Sequence, residues 1–372
     1  MLSKALIVGQ YQTKPLALAR HPDLELTVVV PPLWRDERGA MRLEKKYTEG
    51  YQLIVAPIRW NGRYHLHFYP TIGEIIDRIR PDILHIDEEP YNFATAHTIW
   101  QARRHAPRAR LLFFTWQNLL RTYPLPFRWI EQYVYRHSDY ALAGNAAAVE
   151  VLQAKGFHGP IRIIPQFGVD PTLYASDPAR AQSNKRFVVG FAGRLVPEKG
   201  AHLLIEALAP IQADWELMLV GSGPERARLE ALAHQHGIAG RVTFMPWRAS
   251  TEMPDFYRGL DVLVAPSISR PNWTEQFGRV LIEAMACAVP VIGSNTGEIP
   301  HVIGDAGILT PEGDSAALTA SLRALLADPE RRTELGARGR NRVLDKFTQS
   351  RIADETYAVY REVTANREPG NK

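Results

Sequence analysis

Short, β-branched apolar runs recur along this chain with helical patterns between them, and no other feature restricts its fold so tightly. Residues 5–8, 26–30, 53–56, 83–86, 111–115, 140–143 and 161–164 are such runs, with helix-like stretches at 72–80 and 93–104. Strands that are apolar on both faces and joined through helices belong to a parallel sheet covered on both sides. The series restarts at 187–191 and continues through 216–220, 242–244, 262–265, 289–293 and 308–309. Two successive α/β units are the simplest account, and 372 residues suffice for two cores.

Between the two series, the stretch from Tyr174 to Arg186 is polar, contains Pro178 and has no apolar period. It reads as a linker. We therefore expect a first domain over 1–175, a linker over 176–186, a second domain over 187–350 and a closing segment over 351–372. In that segment Ile352, Thr356, Val359 and Tyr360 share one helix face, and the last residues look frayed.

Forty-four basic residues against 40 acidic ones leave a net charge of +4, too mild and too evenly spread for a nucleic-acid footprint. An anionic small ligand or an anionic membrane surface would suit it. The single cysteine, Cys287, sits in a small apolar run, so it reads as a packed core thiol and no intramolecular disulfide can form. No run approaches the roughly 18 to 20 apolar residues of a membrane span, and the amino terminus reads as a strand rather than a signal peptide. A cytoplasmic protein is expected.

The clearest chemistry lies in the second half. The run 187–191 leads directly into Gly193-Arg194-Leu195-Val196-Pro197-Glu198-Lys199-Gly200, followed by a helical pattern. Glycines at a strand-to-helix crossing let a ligand approach the backbone, and the new helix offers unpaired N–H groups and the positive end of its dipole. Arg194 can fork two donors onto phosphate oxygens, and Lys199 adds a compact charge. A basic surface turn in which Glu198 neutralises one cation is the other reading of the same residues.

The segment Glu275-Gln276-Phe277-Gly278 follows the run 262–265 and turns helical near Gly278. Glu283 then lies about 7.5 Å below the helix start, at about 1.5 Å per residue. A carboxylate accepts hydrogen bonds from two vicinal hydroxyls, so Glu283 suits a ribose diol and Glu275 the hydroxyls of an attached sugar. An acidic group satisfied by a neighbouring base is the plainer alternative.

The loop Gly193-Arg194-Leu195-x-x-Glu198-Lys199-Gly200, the Glu275-x7-Glu283 pair, Glu283-Ala284-Met285-Ala286-Cys287, Pro290-Val291-Ile292 and Gly297-Glu298-Ile299-Pro300 together resemble the family 4 glycosyltransferases. The resemblance covers essentially the whole second domain. It implies the retaining GT-B fold, two Rossmann-like parallel-sheet domains facing across a cleft, with the carboxyl tail crossing back to the first. It implies a hexosyltransferase that uses a nucleoside diphosphate sugar, a UDP- or GDP-sugar, and a glycan or lipid-linked acceptor in polysaccharide or glycolipid biosynthesis. No metal and no other cofactor is expected. By the same resemblance Arg194 and Lys199 bind the donor diphosphate and, with Glu275, carry catalysis. Glu283 binds the ribose, Glu275, Phe277 and Gly278 hold the sugar and distal phosphate, and Gly193 belongs to the donor-binding loop. Two positions depart from the family: Ala288 stands where glycine is common, altering close packing, and His301 stands where glutamate is common, a surface variation.

The first half says less. The run 83–86 ends in His85-Ile86-Asp87-Glu88-Glu89-Pro90, three carboxylates at the expected carboxyl edge of the sheet. They could bind or activate an acceptor hydroxyl, hold a metal with His85, or form a solvated loop. After 111–115 comes Trp116-Gln117-Asn118, where relatives carry a histidine that faces the donor sugar. Here Gln117 keeps hydrogen-bonding capacity without proton shuttling. Asn118 and Trp273 complete the residues expected near the donor sugar or acceptor. Phe127–His137 is a helix candidate with aromatic and basic groups, fit for peripheral membrane contact or for packing with Trp129 and Tyr133 buried.

Two rival functions remain open. Gly221-Ser222-Gly223 after a strand suggests a nicotinamide oxidoreductase, although Arg226 occupies the third glycine position. A catalytically weak nucleotide-sugar-binding module is the other. The nucleobase, the sugar, the acceptor and the oligomeric state are not legible.

Overall fold

The computed structural model describes residues 1–36, 39–177 and 186–365. The chain divides into two compact units, Met1–Phe167 with the chain from Gln349, and Gly168–Thr348. The expected linker falls mostly on 178–185, and the frayed tail on 366–372, outside the described residues. The dividing line comes before residue 175 because residues 169–175 are tied to the second unit. Val169 N–H donates to the Phe347 carbonyl at 2.9 Å, and the Arg258 guanidinium reaches the Ala175 carbonyl at 3.2 Å.

In the first unit the strands are β1 (Thr27–Val30), β2 (Leu33–Asp36), β3 (Gly39–Arg42), β4 (Gln52–Val55), β5 (Ile83–Ile86), β6 (Arg110–Thr115), β7 (Tyr140–Ala143) and β8 (Ile161–Ile163). β4 pairs with β1, and β5 to β8 follow one another, all parallel. Leu2 bridges both Val29 and Ile86, which joins the two sets into one sheet. The expected strand at 5–8 is not one. Residues Met1 to Ser3 hold that central position, through Leu2 N–H on the His85 carbonyl and Ser3 N–H on the Val29 carbonyl. Ala5–Ile7 instead forms a 3-10 turn that buries Leu6 and Ile7. The antiparallel hairpin β2–β3 has no counterpart in the sequence reading.

Alternation along β6 sends Leu111 and Phe113 to one core and Leu112 and Phe114 to the other. Helices Ile72–Ile79 and Phe93–His105 cover the first face, joining Ile72, Ile76 and Ile99 to its core. The second face is closed by helix Gln349–Ala365, through Ile352, Ala353, Val359, Tyr360 and Val363.

The second unit holds β9 (Phe187–Ala192), β10 (Trp215–Val220), β11 (Val242–Met245), β12 (Val262–Ala265), β13 (Val291–Ser294) and β14 (Ile308–Thr310). Their spatial order is β11-β10-β9-β12-β13-β14, all parallel. Numbered from β9, this is 3-2-1-4-5-6, the doubly wound arrangement whose direction reverses between β9 and β12. Loops leaving the carboxyl ends of those two strands diverge there, and ligands of open sheets bind at such points.

Candidate functional site

The loops after β9 and β12 are the two segments singled out by sequence. The first is pinned along its length. Gly193 N–H donates to the Val220 carbonyl at 3.0 Å, Leu195 N–H to the Ser222 carbonyl at 2.9 Å, and Ile268 N–H to the Glu198 carbonyl at 2.8 Å. Arg194 stands exposed between the pinned residues. A short 3-10 turn, Pro197–Lys199, then hands over through Gly200 to helix Ala201–Leu208. Gly200 has φ of 69°, and a Cβ there would stand 1.9 Å from the Pro266 carbonyl oxygen, so only glycine lets the two loops approach this closely.

Across that contact Lys199 meets Glu275. The ammonium lies 2.5 Å from Oε2, which also accepts the Ser267 hydroxyl at 3.2 Å. The ring of Trp273 lies 5.1 Å from the same ammonium, within cation–π range. The Glu275 carbonyl takes the Glu298 N–H at 3.0 Å, which fixes the loop backbone. Phe277 is buried against Phe347, and Gly278 caps helix Arg279–Ala286.

Glu283, the fifth residue of that helix, is only 5% exposed. Its Oε2 accepts the Tyr257 hydroxyl at 2.6 Å, and its Oε1 lies 3.0 Å from the Arg279 guanidinium one turn earlier. Burial, then the Glu283 charge, pushes the Tyr257 phenol well above its ordinary value, and Tyr174 moves the same way for the same reasons. Both tyrosines therefore stay protonated, Tyr257 donating to this carboxylate and Tyr174 to the Ser250 carbonyl at 3.2 Å. Arg279 four residues before Glu283 was a readable signal; Tyr257 and Tyr174 come from distant elements and were not.

Gly221 and Gly223, which had suggested a dinucleotide loop, serve packing. Side chains there would stand 1.8 Å from the Gly193 carbonyl oxygen and 2.2 Å from that of Leu195. They lie after β10, whereas the dinucleotide turn follows the first strand of such a sheet. Cys287 is buried, and burial pushes its thiol up to about 12, consistent with a packed core residue. His301 is exposed beside Glu298, 3.4 Å away.

In the first unit the three carboxylates at the end of β5 are not a solvated loop. Asp87 is buried and accepts the Ser3 hydroxyl at 2.7 Å. Glu88 is buried against the Lys4 ammonium, with His67 Nε2 at 3.7 Å. Burial alone would raise Glu88, but Lys4 and then His67 outweigh it and hold the carboxyl at about 2. Glu89 is the partly exposed member. It accepts the Thr115 hydroxyl at 2.6 Å and the Trp116 N–H at 2.8 Å, and burial pushes it up to about 7 against those bonds. His85 is buried on the Tyr360 hydroxyl, and burial drives it well below its ordinary value, so it stays neutral. Among the described residues no three His, Cys, Asp or Glu side chains are grouped to hold a metal ion. Gln117 is 6% exposed, and its main-chain N–H donates to the Thr115 hydroxyl at 3.0 Å. Asn118, on the same loop, is half-buried. Among the described residues no helix is long and apolar enough to cross a membrane.

Residues 175–342 match the family model described as glycosyl transferases group 1, and residues 17–173 the model described as Glycosyltransferase Family 4. The GDP-mannose-dependent alpha-(1-6)-phosphatidylinositol monomannoside mannosyltransferase of Mycolicibacterium smegmatis is 35% identical over 228 residues, 57% of this chain and 56% of that protein. The D-inositol 3-phosphate glycosyltransferase of Rhodococcus opacus is 33% identical over 260 residues, 65% of this chain and 57% of that one. The chain thus spans less than two thirds of the length of these curated relatives. The crystal structure of Anabaena HepE in complex with UDP is similar with a TM-score of 0.74 at 18% identity, over 97% of this chain and 98% of that one. The fold is of the GT-B class, built from two Rossmann-like parallel-sheet units.

Proposed function

The chain belongs to the family 4 glycosyltransferases, and on that premise we propose that it moves a sugar from a nucleoside diphosphate sugar, a UDP- or GDP-sugar, to an acceptor hydroxyl with retention at the anomeric carbon. The observation that carries this reading is the Lys199–Glu275 pair at the switch point of the second sheet. Without donor, cation and carboxylate satisfy each other. A diphosphate would draw Lys199 away, and sugar hydroxyls would replace it on Glu275. The GDP-mannose in the name of the Mycolicibacterium relative supports a nucleoside diphosphate donor.

In this reading Arg194 and Lys199 stabilise the charge that builds on the leaving diphosphate, the largest electrostatic contribution available to such a transfer. Glu283, held by Tyr257 and Arg279, accepts from the ribose hydroxyls, and Phe277 and Gly278 shape the loop beneath the sugar. The departing diphosphate takes the acceptor proton on the same face, so no carboxylate nucleophile is required. The acceptor is a glycan or lipid-linked hydroxyl, and no metal or other cofactor takes part. Peripheral contact with the inner face of a membrane, through helix Phe127–His137, accompanies the reading: Leu120, Leu125 and Trp129 are exposed beside Arg121 and Arg128.

Incubation with radiolabelled UDP-, GDP- and ADP-sugars tests the proposal. Transfer, or slow hydrolysis of one donor, is expected. A donor that binds without either reaction would instead identify a binding module, and NADH binding in preference to every sugar nucleotide would overturn the donor assignment.

A further inference from the structure

The chain leaving β12 folds back on itself before it reaches helix Arg279–Ala286. Arg270 N–H donates to the Trp273 carbonyl at 2.7 Å, and Trp273 N–H returns a bond to the Arg270 carbonyl at 3.1 Å. Pro271 and Asn272 make the turn between them, and proline presets the backbone of its first corner. Three more contacts fix this hairpin. The Ser267 hydroxyl donates to Glu275 Oε2 at 3.2 Å, the Ser269 and Thr274 hydroxyls lie 2.9 Å apart, and the Ser269 N–H reaches the Glu312 carboxylate beyond β14 at 2.7 Å. Side chains alternate along an extended arm, so Thr274 turns to Ser269 while Trp273 and Glu275 turn together to Lys199, with the indole 5.1 Å from its ammonium.

The two partners of Lys199 act on it differently. Glu275 neutralises the cation, and in the transferase reading sugar hydroxyls take that carboxylate over when a donor binds. The indole leaves the charge whole. It attracts the cation through its ring quadrupole, more strongly than the other aromatic side chains, and presents no anion for a diphosphate to displace. Lysine reaches its target on a flexible four-carbon stem, which a ring on a fixed hairpin can hold in one direction. Trp273 is half-buried on a loop rather than packed in a core, so its size is not demanded by the fold.

Resting on the transferase reading for the reaction it serves, we propose that Trp273 is a positioning residue: it keeps the Lys199 ammonium at the donor diphosphate after Glu275 has passed to the sugar. The cation is then in place when charge builds on the leaving group, and charge preorganised in this way acts in the transition state more than in the ground state. The ring face is the working part, and it works through Lys199.

NMR of the full chain, isotope-labelled at lysine Cε, and steady-state kinetics test the role together. In donor-free protein the Lys199 signal, identified by its loss in Lys199→Ala, should be displaced upfield by the indole ring current and should lose that displacement in Trp273→Leu. Saturation with UDP, GDP or ADP, whichever binds, should leave the displacement in place. Trp273→Leu should lower kcat about fivefold or more with little change in donor KM, and Trp273→Phe should recover part of the loss. Difluorotryptophan placed at position 273 alone draws charge from the ring face at nearly constant size and should lower kcat about threefold. In the Lys199→Ala background neither change should cost anything further. An equal cost with and without Lys199 would mean that the indole serves the sugar directly, and overturns the positioning role. A Lys199 signal that lacks the displacement, or loses it when a diphosphate binds, overturns it as well. Each of these results leaves the transferase reading standing wherever the wild type turns over donor. Wild-type protein that responds to none of the three diphosphates and shows no turnover overturns that reading, and the positioning role with it.

Discussion

Lys199 and Glu275, 76 residues apart in sequence, meet at 2.5 Å where the loops after β9 and β12 cross. Neither side chain reaches a fully solvated position, so each has been drawn to the other by the fold rather than by chance encounter at the surface. If the pair yields to a donor diphosphate, losing either basic group should cost turnover more than donor affinity. Lys199→Ala and Arg194→Ala should each lower kcat by at least about tenfold, in line with removing one group that stabilises a leaving charge. Wild-type kcat in both variants would remove the phosphate assignment.

Glu283 offers a second test because its carboxylate is buried and held by a single phenol on one oxygen and a guanidinium on the other. Tyr257→Phe deletes the hydroxyl and leaves Oε2 short of a donor, which should destabilise the fold by about 1–3 kcal/mol in chemical denaturation. If the carboxylate also receives ribose hydroxyls, the same variant should raise the donor KM. A stability loss with unchanged donor KM would make Glu283 a packing residue only.

Helix Arg279–Ala286 ends in a Schellman turn: Val289 N–H reaches the Ala284 carbonyl at 3.0 Å and Ala288 N–H the Met285 carbonyl at 3.0 Å. Ala288 fills the left-handed position, with φ of 59°. An L-residue pays about 1–2 kcal/mol there, part of which glycine would return to the entropy of the unfolded chain. Ala288→Gly should therefore raise stability by roughly 0.5–1 kcal/mol. An unchanged or lowered melting temperature would contradict the strain.

The same residues show what a sequence can and cannot disclose. The loop Gly193 to Gly200 and the Glu275–Glu283 spacing were legible because strand, turn and helix follow one another within a few residues, and local order fixes which groups face the carboxyl edge. The position of Ala288 was legible as a departure, but its positive φ was not, since that depends on how the helix ends. The run 5–8 misled because an apolar tetrad suits a buried 3-10 turn as well as a strand, and only the slot between β1 and β5 selects Leu2 for the sheet. Asp87, Glu88 and Glu89 are adjacent in sequence yet have different environments. Those differences come from Ser3, Lys4, His67, Thr115 and Trp116, partners that local spacing does not reveal.

Glu88 and Glu89 should mark stability with opposite signs. Glu88, held at about 2 against an ordinary 4.5, stabilises the fold fully above pH 4.5, and that contribution is lost as pH falls toward 2. Glu89, raised to about 7, favours its protonated form, so its contribution is present below pH 4.5 and lost as pH rises through 7. Lys4→Met removes the main support of the first. Its unfolding free energy should fall below wild type by on the order of 3 kcal/mol near pH 6 and converge with it toward pH 2. A deficit that does not change with pH would show that Lys4 acts through packing alone.

Helix Phe127–His137 buries Glu131, Val134 and Tyr135 and turns Trp129 outward, 66% exposed, rather than packing it. Tyr133 is half-buried, its ring 4.2 Å from that of His137. An exposed indole is favoured at a lipid interface, and the adjoining stretch of chain also exposes Leu120, Arg121, Leu125 and Arg128. Vesicles of phosphatidylglycerol should therefore retain the protein in co-sedimentation, and neutral phosphatidylcholine vesicles much less. Each of Arg121→Ser and Arg128→Ser should weaken binding about fivefold at low salt, the value of roughly 1 kcal/mol per basic residue at an anionic surface. Trp129→Ser should weaken it on both kinds of vesicle, because the indole contributes burial rather than charge. Equal retention of wild type and Trp129→Ser would place the membrane contact elsewhere, and no retention on anionic vesicles would remove it.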